Sequence, residues 1–212
     1  MALTSPDEMH VYVRKLARID PTFKPIIKQS PLCTINSKRP TRTHYETLVT
    51  SIISQQLAIK AADTIRDRVK ALAGGKIEAE AIAALSEKEL RSAGVSGAKV
   101  RAISELTEGT LSGAIEFKKF SRLSNEEISQ ELTSIWGIGR WTVEMFLIFH
   151  LMRVNVLPLD DVGLINGISH NYFSGEAVSR SDAREVAQAW APYCSVATWF
   201  IWRSLDPVPV EY

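Results

Sequence analysis

From Tyr45 to Ala73 the apolar residues return with the period of an α-helix: Leu48, Ile52, Ile53, Leu57, Ala61, Ile65, Val69 and Leu72. No run alternates apolar and polar residues around an Asn-Gly or Asp-Gly turn, so a sheet has nothing to nucleate on. The pattern commits the chain to an all-α fold. The long stretch breaks near Ser54-Gln55-Gln56 into two helices, and Gly74-Gly75 stops the second. Met9, Val13 and Leu16 mark an earlier helix over 7–18. Ser86 with Glu89, and Ser124 with Glu127, form capping boxes that open two more. Gly94 and Gly97 bracket a turn before a helix over 99–111. Ser181-Asp182 begins another, Pro192 interrupts it, and it resumes over 193–205 before a tail, DPVPVEY, that cannot be helical. The expected total is roughly nine to eleven helices with short connections.

Composition narrows the class. With 212 residues, 45% hydrophobic and 23% charged, the chain can bury a core without disulfides or a structural metal. No window approaches ~18 uninterrupted apolar residues, so no membrane span is expected, and MALTSPDEMH lacks a basic-then-apolar leader. Cys33 and Cys194 are too few for a disulfide scaffold, a four-cysteine zinc site or a four-thiolate cluster. His10, His44, His150 and His170 show no ligand spacing, so no side-chain metal site and no cofactor are expected. A reduced compartment follows: cytoplasmic, or nuclear in a eukaryote. The net charge of +1 neither announces nor excludes a nucleic acid, because placement outweighs the sum. Pro21 to Tyr45 holds no acid but carries Lys24, Lys28, Lys38, Arg39 and Arg42, whereas acids dominate from Glu78 to Glu89. Both are solvated faces or loops, or the basic run faces a polyanion.

The most informative segment is Leu132-Thr-Ser-Ile-Trp-Gly-Ile-Gly-Arg-Trp-Thr-Val-Glu-Met-Phe. A helix over 126–135 runs into Gly137-Ile138-Gly139, and a second starts at about Arg140. Glycines permit positive φ and a close backbone approach, while Ile138 between them anchors the turn in the core. The unpaired N–H groups that open the second helix suit a phosphate oxygen, so the hairpin can grip a nucleic-acid backbone without high net charge. An ordinary helical hairpin with a glycine turn has the same local pattern. Downstream, Asp160 and Asp161 follow Pro158 and precede an apolar segment that opens a helix, where a carboxylate is stabilised as an anion and one of the two can act as N-cap.

The order Gly-Ile-Gly-Arg-Trp-Thr-Val-Glu-Met-Phe-Leu-Ile, a spacer, then Leu157-Pro-Leu-Asp-Asp161 resembles the helix-hairpin-helix DNA glycosylase superfamily, most closely its 3-methyladenine DNA glycosylase II branch. The likeness spans roughly Tyr45 to Leu205 and includes Ser54-Gln55-Gln56 and Phe200-Ile201-Trp202 in family order. It implies a single domain over 1–212, two helical lobes around a cleft, with the hairpin at about 126–150. Larger relatives carry an extra β-rich domain for which this chain has no room.

The resemblance also implies roles. Asp161 is the catalytic carboxylate, with Asp160 its structural neighbour; the reverse assignment stays open. An N-glycosidic bond breaks with oxocarbenium character, which a fixed anion near C1′ stabilises while orienting or deprotonating water. Bifunctional relatives place a lysine just after the hairpin; here Trp141 stands there, which implies water as the nucleophile and no strand cleavage. Trp202 occupies the base-stacking position, Trp141 and Met145 line the pocket, and Tyr45 is a further wall, all competing with ordinary core packing. Met145 stands where an aromatic residue is expected. Gln55, Gln56 and Leu57 form the loop that enters the base stack, with Gln56 or Leu57 as the wedge. Gly137, Ile138, Gly139, Arg140 and Thr142 belong to the DNA grip, and main-chain carbonyls of Thr133, Ile135 and Ile138 can hold a monovalent cation. The implied activity is monofunctional release of 3-methyladenine and related N-alkylpurines from damaged double-stranded DNA, by a monomer, leaving an abasic site. A relative acting on another lesion (ethenoadenine, deaminated purine or uracil) and a non-catalytic helix-hairpin-helix binding module share these residues.

Overall fold

The computed structural model describes residues 6–35 and 40–206; Lys38, Arg39 and the tail beyond Asp206 lie outside them. Among the described residues there are twelve α-helices and no strand, slightly more helices than the periodicity suggests. The chain divides into two compact units, one built from residues 1–39 and 144–212, the other from 40–143.

The first unit opens with α1 (Pro6–Ile19), whose buried Met9, Tyr12 and Leu16 follow helical spacing, and α2 (Phe23–Gln29). Helix α2 escapes sequence reading because it buries only Phe23 and Ile26, one turn apart, too little for a period to register.

The second unit runs through α3 (His44–Ser54), α4 (Ile59–Leu72), α5 (Ala79–Ala83), α6 (Glu87–Ser92), α7 (Gly97–Leu111), α8 (Asn125–Thr133) and α9 (Arg140–Met145), which crosses into the first unit's residues. The expected break after Ser54 is there, and Gly74 and Gly75 adopt positive φ just past α4. Both capping boxes are formed: Ser86 accepts the Glu89 N–H, Ser124 accepts the Glu127 N–H, and each glutamate bonds back. The acidic run over 78–89 is a solvated face, with Glu78, Glu80, Glu87 and Glu89 exposed along α5, the start of α6 and the cap between them. Helix α7 forms the centre, packing on α3, α5 and α6 through Val100, Ile103 and Leu106.

After a π-type turn at Phe146–His150, the first unit resumes with α10 (Val162–Tyr172), α11 (Arg180–Ala187) and α12 (Cys194–Leu205). Helix α11 starts one residue earlier than expected because Ser179, not Ser181, makes the capping box with Asp182. Helix α12 is buried nearly all round, from Cys194 to Ile201, the signature of a central helix. Asp20, just past α1, accepts hydrogen bonds from Tyr172 (2.6 Å) and Trp190 (3.2 Å), fastening the N-terminal helices to this core.

One contact sets the spacing that matters for the site. Helices α10 and α12 meet at Gly167, where a Cβ would lie 2.3 Å from Ile201 Cγ2 and 3.0 Å from the Ile201 carbonyl oxygen. Only glycine permits that approach. Gly167→Ala is therefore expected to destabilise the protein by about 1–3 kcal/mol through overpacking, read from the urea midpoint at constant m. A neutral result would mean that the two helices part freely.

Candidate active site and nucleic-acid interface

In the first unit a cavity of about 320 Å³ is walled by Asp161 and Gly163 from α10, Trp199, Trp202 and Arg203 from α12, and Phe149. That volume suits one small planar group. Asp161 is half-buried and is the N-cap of α10: its Oδ1 accepts the Leu164 N–H at 2.7 Å. The same oxygen accepts the Trp202 indole N–H at 2.8 Å. Capping and lining the cavity are thus properties of one carboxylate. Asp160 points elsewhere, into an ion pair with Arg180 at 2.9 Å. Trp202 stacks on Phe149, with ring centroids 5.9 Å apart and planes at 15°. The Arg203 guanidinium lies 5.5 Å over the Trp199 ring.

Gly163 went unnoticed in the sequence. A Cβ there would stand 3.1 Å from Asp161 Oδ1 and 3.1 Å from Trp202 Cδ1, tighter than side chains normally pack. Its signal was the glycine two residues after Asp161, inside a helix, where glycine has no propensity reason to be.

The second unit carries the hairpin. Helix α8 ends at Thr133, Gly137 takes φ +84°, Ile138 is buried at 3% exposure, and α9 begins at Arg140. Only Gly137 uses the left-handed region; Gly139 keeps ordinary φ and would seat a Cβ with nothing within 4 Å. Three neighbours brace the turn. Gln55 donates to the Gly137 carbonyl (3.1 Å) and to Thr142 Oγ1 (3.3 Å). Glu105 accepts the Trp136 N–H at 2.8 Å, and the Arg101 guanidinium covers the Trp136 ring at 4.5 Å. The Trp136 N–H first, and then Arg101, hold the Glu105 carboxyl below its ordinary range. Arg140 reaches Glu126 on α8 at 3.4 Å.

The helix break after α3 is shaped by Lys99, which donates to the carbonyls of Ile53 (2.8 Å) and Gln55 (2.7 Å), its pKa pulled down by burial. Lys99 thereby caps the end of α3. Gln56 sits at the loop tip at φ +57°, exposed, with Leu57 exposed beside it. Gln55 is the internal brace of this loop rather than its tip.

The remaining expected residues do not line the cavity. Tyr45 is buried in the second unit, bonded at 2.7 Å to Thr107 Oγ1. The Thr107 hydroxyl is spent on the Ile103 carbonyl, so Tyr45 is the donor and its ring serves the core. Thr142 is buried beneath Gln55, which removes it from the protein surface. Trp141 is 39% exposed on α9, and Met145 is buried at that helix's end. The Ile135 carbonyl accepts the Ile138 N–H at 3.2 Å, one of its two lone pairs, so the turn keeps acceptor capacity for a cation. Burial pushes Cys33 up to about 12 and Cys194 up to about 11, which makes neither a nucleophile. Among the described residues no cluster of His, Cys, Asp or Glu could hold a metal ion, and no helix is long and apolar enough to cross a membrane.

Known proteins share this fold. The family described as HhH-GPD superfamily base excision DNA repair protein matches residues 49–192. DNA-3-methyladenine glycosylase 1 of Schizosaccharomyces pombe is 34% identical over 192 residues, 89% of this chain and 84% of its own. The crystal structure of the DNA-3-methyladenine glycosidase of Bacillus halodurans superposes with a TM-score of 0.84 at 34% identity, covering 97% of this chain and 92% of that one. The Schizosaccharomyces pombe 3-methyladenine DNA glycosylase in complex with abasic DNA superposes with a TM-score of 0.75 at 32% identity, covering 94% and 99%.

The two hairpin glycines are expected to behave differently. Gly137→Ala should cost about 1–2 kcal/mol, because φ +84° drives a Cβ into its own backbone and onto Ala102 at 3.0 Å. Gly139→Ala should stay within about 0.5 kcal/mol. Equal urea midpoints for the two variants would refute the backbone argument.

Proposed function

This chain belongs to the HhH-GPD superfamily of base excision DNA repair proteins, and we propose that it is a DNA-3-methyladenine glycosylase. It hydrolyses the N-glycosidic bond of 3-methyladenine and related N-alkylpurines in duplex DNA and leaves an abasic site. The observation that carries this reading is Asp161: a carboxylate half-buried in a cavity with three aromatic walls, held on one oxygen by two N–H donors.

The chemistry follows from the residues. The hairpin offers backbone N–H groups at the start of α9, aimed by Gly137 and braced by Gln55, and these bind phosphate oxygens without regard to base. The exposed tip at Gln56 and Leu57 fills the gap left when a nucleotide swings out of the stack. The extruded base enters the aromatic cavity, where a cationic alkylpurine gains from aromatic faces. Asp161 supplies a fixed negative charge as positive charge grows on the sugar, and it accepts the proton of the attacking water. The bond breaks between C1′ and the ring nitrogen, and the base leaves with the electron pair. A base that is already cationic leaves as a neutral molecule, so no general acid is required. If a monovalent cation sits on the hairpin carbonyls, it adds positive charge beside the same phosphates.

Trp141 stands where a Schiff-base lysine would be needed, and the half-buried Lys99 is committed to two carbonyls. The reaction is therefore monofunctional, with one chain sufficient for it. The protein works wherever the cell keeps its genome.

Asp161→Asn should lower single-turnover release of 3-methyladenine by at least about 10²-fold while duplex affinity is retained. Normal release by this variant would overturn the assignment. Borohydride added during turnover of the wild type should trap no covalent protein–DNA adduct; a trapped adduct would replace water with an amine nucleophile.

A further inference from the structure

Asp161 makes a contact that cavity lining alone does not explain. Its Oδ1 accepts two hydrogen bonds, one from the backbone of α10 and one from the side chain of α12. Two donors from different helices fix that oxygen in direction as well as position. Rotating the carboxylate about χ2 would break both bonds at once, so its second oxygen has one allowed direction. An N-cap alone would leave the group free to swing about a single bond.

The donor on α12 is itself held in place. Phe149 lies nearly parallel to the Trp202 ring and covers one of its faces. The absent Cβ at Gly163 leaves room for the indole edge to reach the carboxylate: a methyl there would press on both partners at 3.1 Å. Gly167, one turn further along α10, lets the two helices approach closely enough for the bond to span them. Stacking against a base needs none of this. It needs an open ring face, and one face of Trp202 is already occupied.

We propose that Trp202 is a positioning residue: its indole N–H, held by Phe149 and admitted by Gly163, sets the orientation in which Asp161 meets the sugar. Its ring face contributes binding, and its N–H contributes rate. This rests on Asp161 being the reaction's carboxylate, but the contact itself can be tested without activity.

The first arm is spectroscopic. The Trp202 indole N–H resonance, assigned by its loss in Trp202→Phe, should move upfield in Asp161→Asn, where a neutral amide replaces the charged acceptor. The other indole signals should stay in place. An unmoved Trp202 signal overturns the proposal, and because Trp202 is intact in that protein the result does not depend on whether Trp202→Phe folds. The second arm is kinetic. Trp202→Phe keeps an aromatic face and loses only the donor, so single-turnover release from alkylated duplex should fall about 10–100-fold with little change in duplex affinity. Wild-type rates in Trp202→Phe overturn the proposal and leave Trp202 as a stacking wall. Loss of affinity without loss of rate overturns it as well. If the wild type itself releases no alkylated base, the glycosylase reading fails, and the indole signal still decides the contact.

Discussion

The first unit is organised by the close approach of α10 to α12. At Gly167 the helices come nearer than any side chain would allow, since a Cβ would sit 2.3 Å from Ile201. One turn before Gly167, Gly163 clears the space beside the Asp161 oxygen. The two glycines lie on one helical face, four residues apart, and together they bring the first turn of α10 against the last turns of α12. The cost is helix propensity, roughly 1 kcal/mol at Gly167 in the helix interior. What is gained is geometric: a cap residue that would otherwise face only its own helix comes within hydrogen-bond range of an aromatic donor on another.

The second unit solves a different problem by similar means. On the proposed reading, the turn presents N–H groups to a phosphate and cannot spend those on its own structure. Its rigidity has to come from outside. Gln55 supplies it at the Gly137 carbonyl and at Thr142, and Glu105 supplies it at the Trp136 N–H. Lys99 in turn ties down the Gln55 backbone. The loop tip and the hairpin are thereby parts of one hydrogen-bonded assembly, and the strain of Gln56 at φ +57° is held by the groups on either side of it. A net charge of +1 is no obstacle to such a grip, because its donors are backbone amides rather than lysines.

Much of this was legible in the sequence, and the parts that were not share a physical cause. The capping boxes at Ser86 and Ser124, the break after Ser54 and the stop at Gly74 are local signals, settled by a few adjacent residues, and each stands where it was expected. Helix α2 and the π-type turn at Phe146–His150 are too short to show a period. Among the site residues, the Asp-Asp pair was visible, and so was the capping role of one of the two; which of them caps α10 is settled only by the fold. Gln55 was grouped with Gln56 because sequence gives neighbours one label, whereas the backbone turns between them and sends one inward and the other out. Tyr45 and Thr142 looked like surface or pocket residues because nothing in a sequence reports that a hydroxyl 62 positions away, or an amide 87 positions away, will claim them. The bond between Trp202 and Asp161, 41 positions apart, is of the same kind.

On the proposed mechanism, these tertiary bonds bear on how the reaction does without a general acid. When the leaving base is already cationic, the remaining barrier is the positive charge that develops on the sugar, and the protein's lever is the placement of one negative charge. A mobile carboxylate would have to pay reorganisation at the transition state; a carboxylate clamped on one oxygen does not. The clamp has a further consequence. Both donors are N–H groups that can only donate, so Oδ1 is fully used as an acceptor within the protein and adds nothing to a bound base. Discrimination among damaged bases then falls to the shape of the aromatic walls, to the weakness of the bond being cut and to the two other charged side chains of the cavity, Arg203 and Asp206.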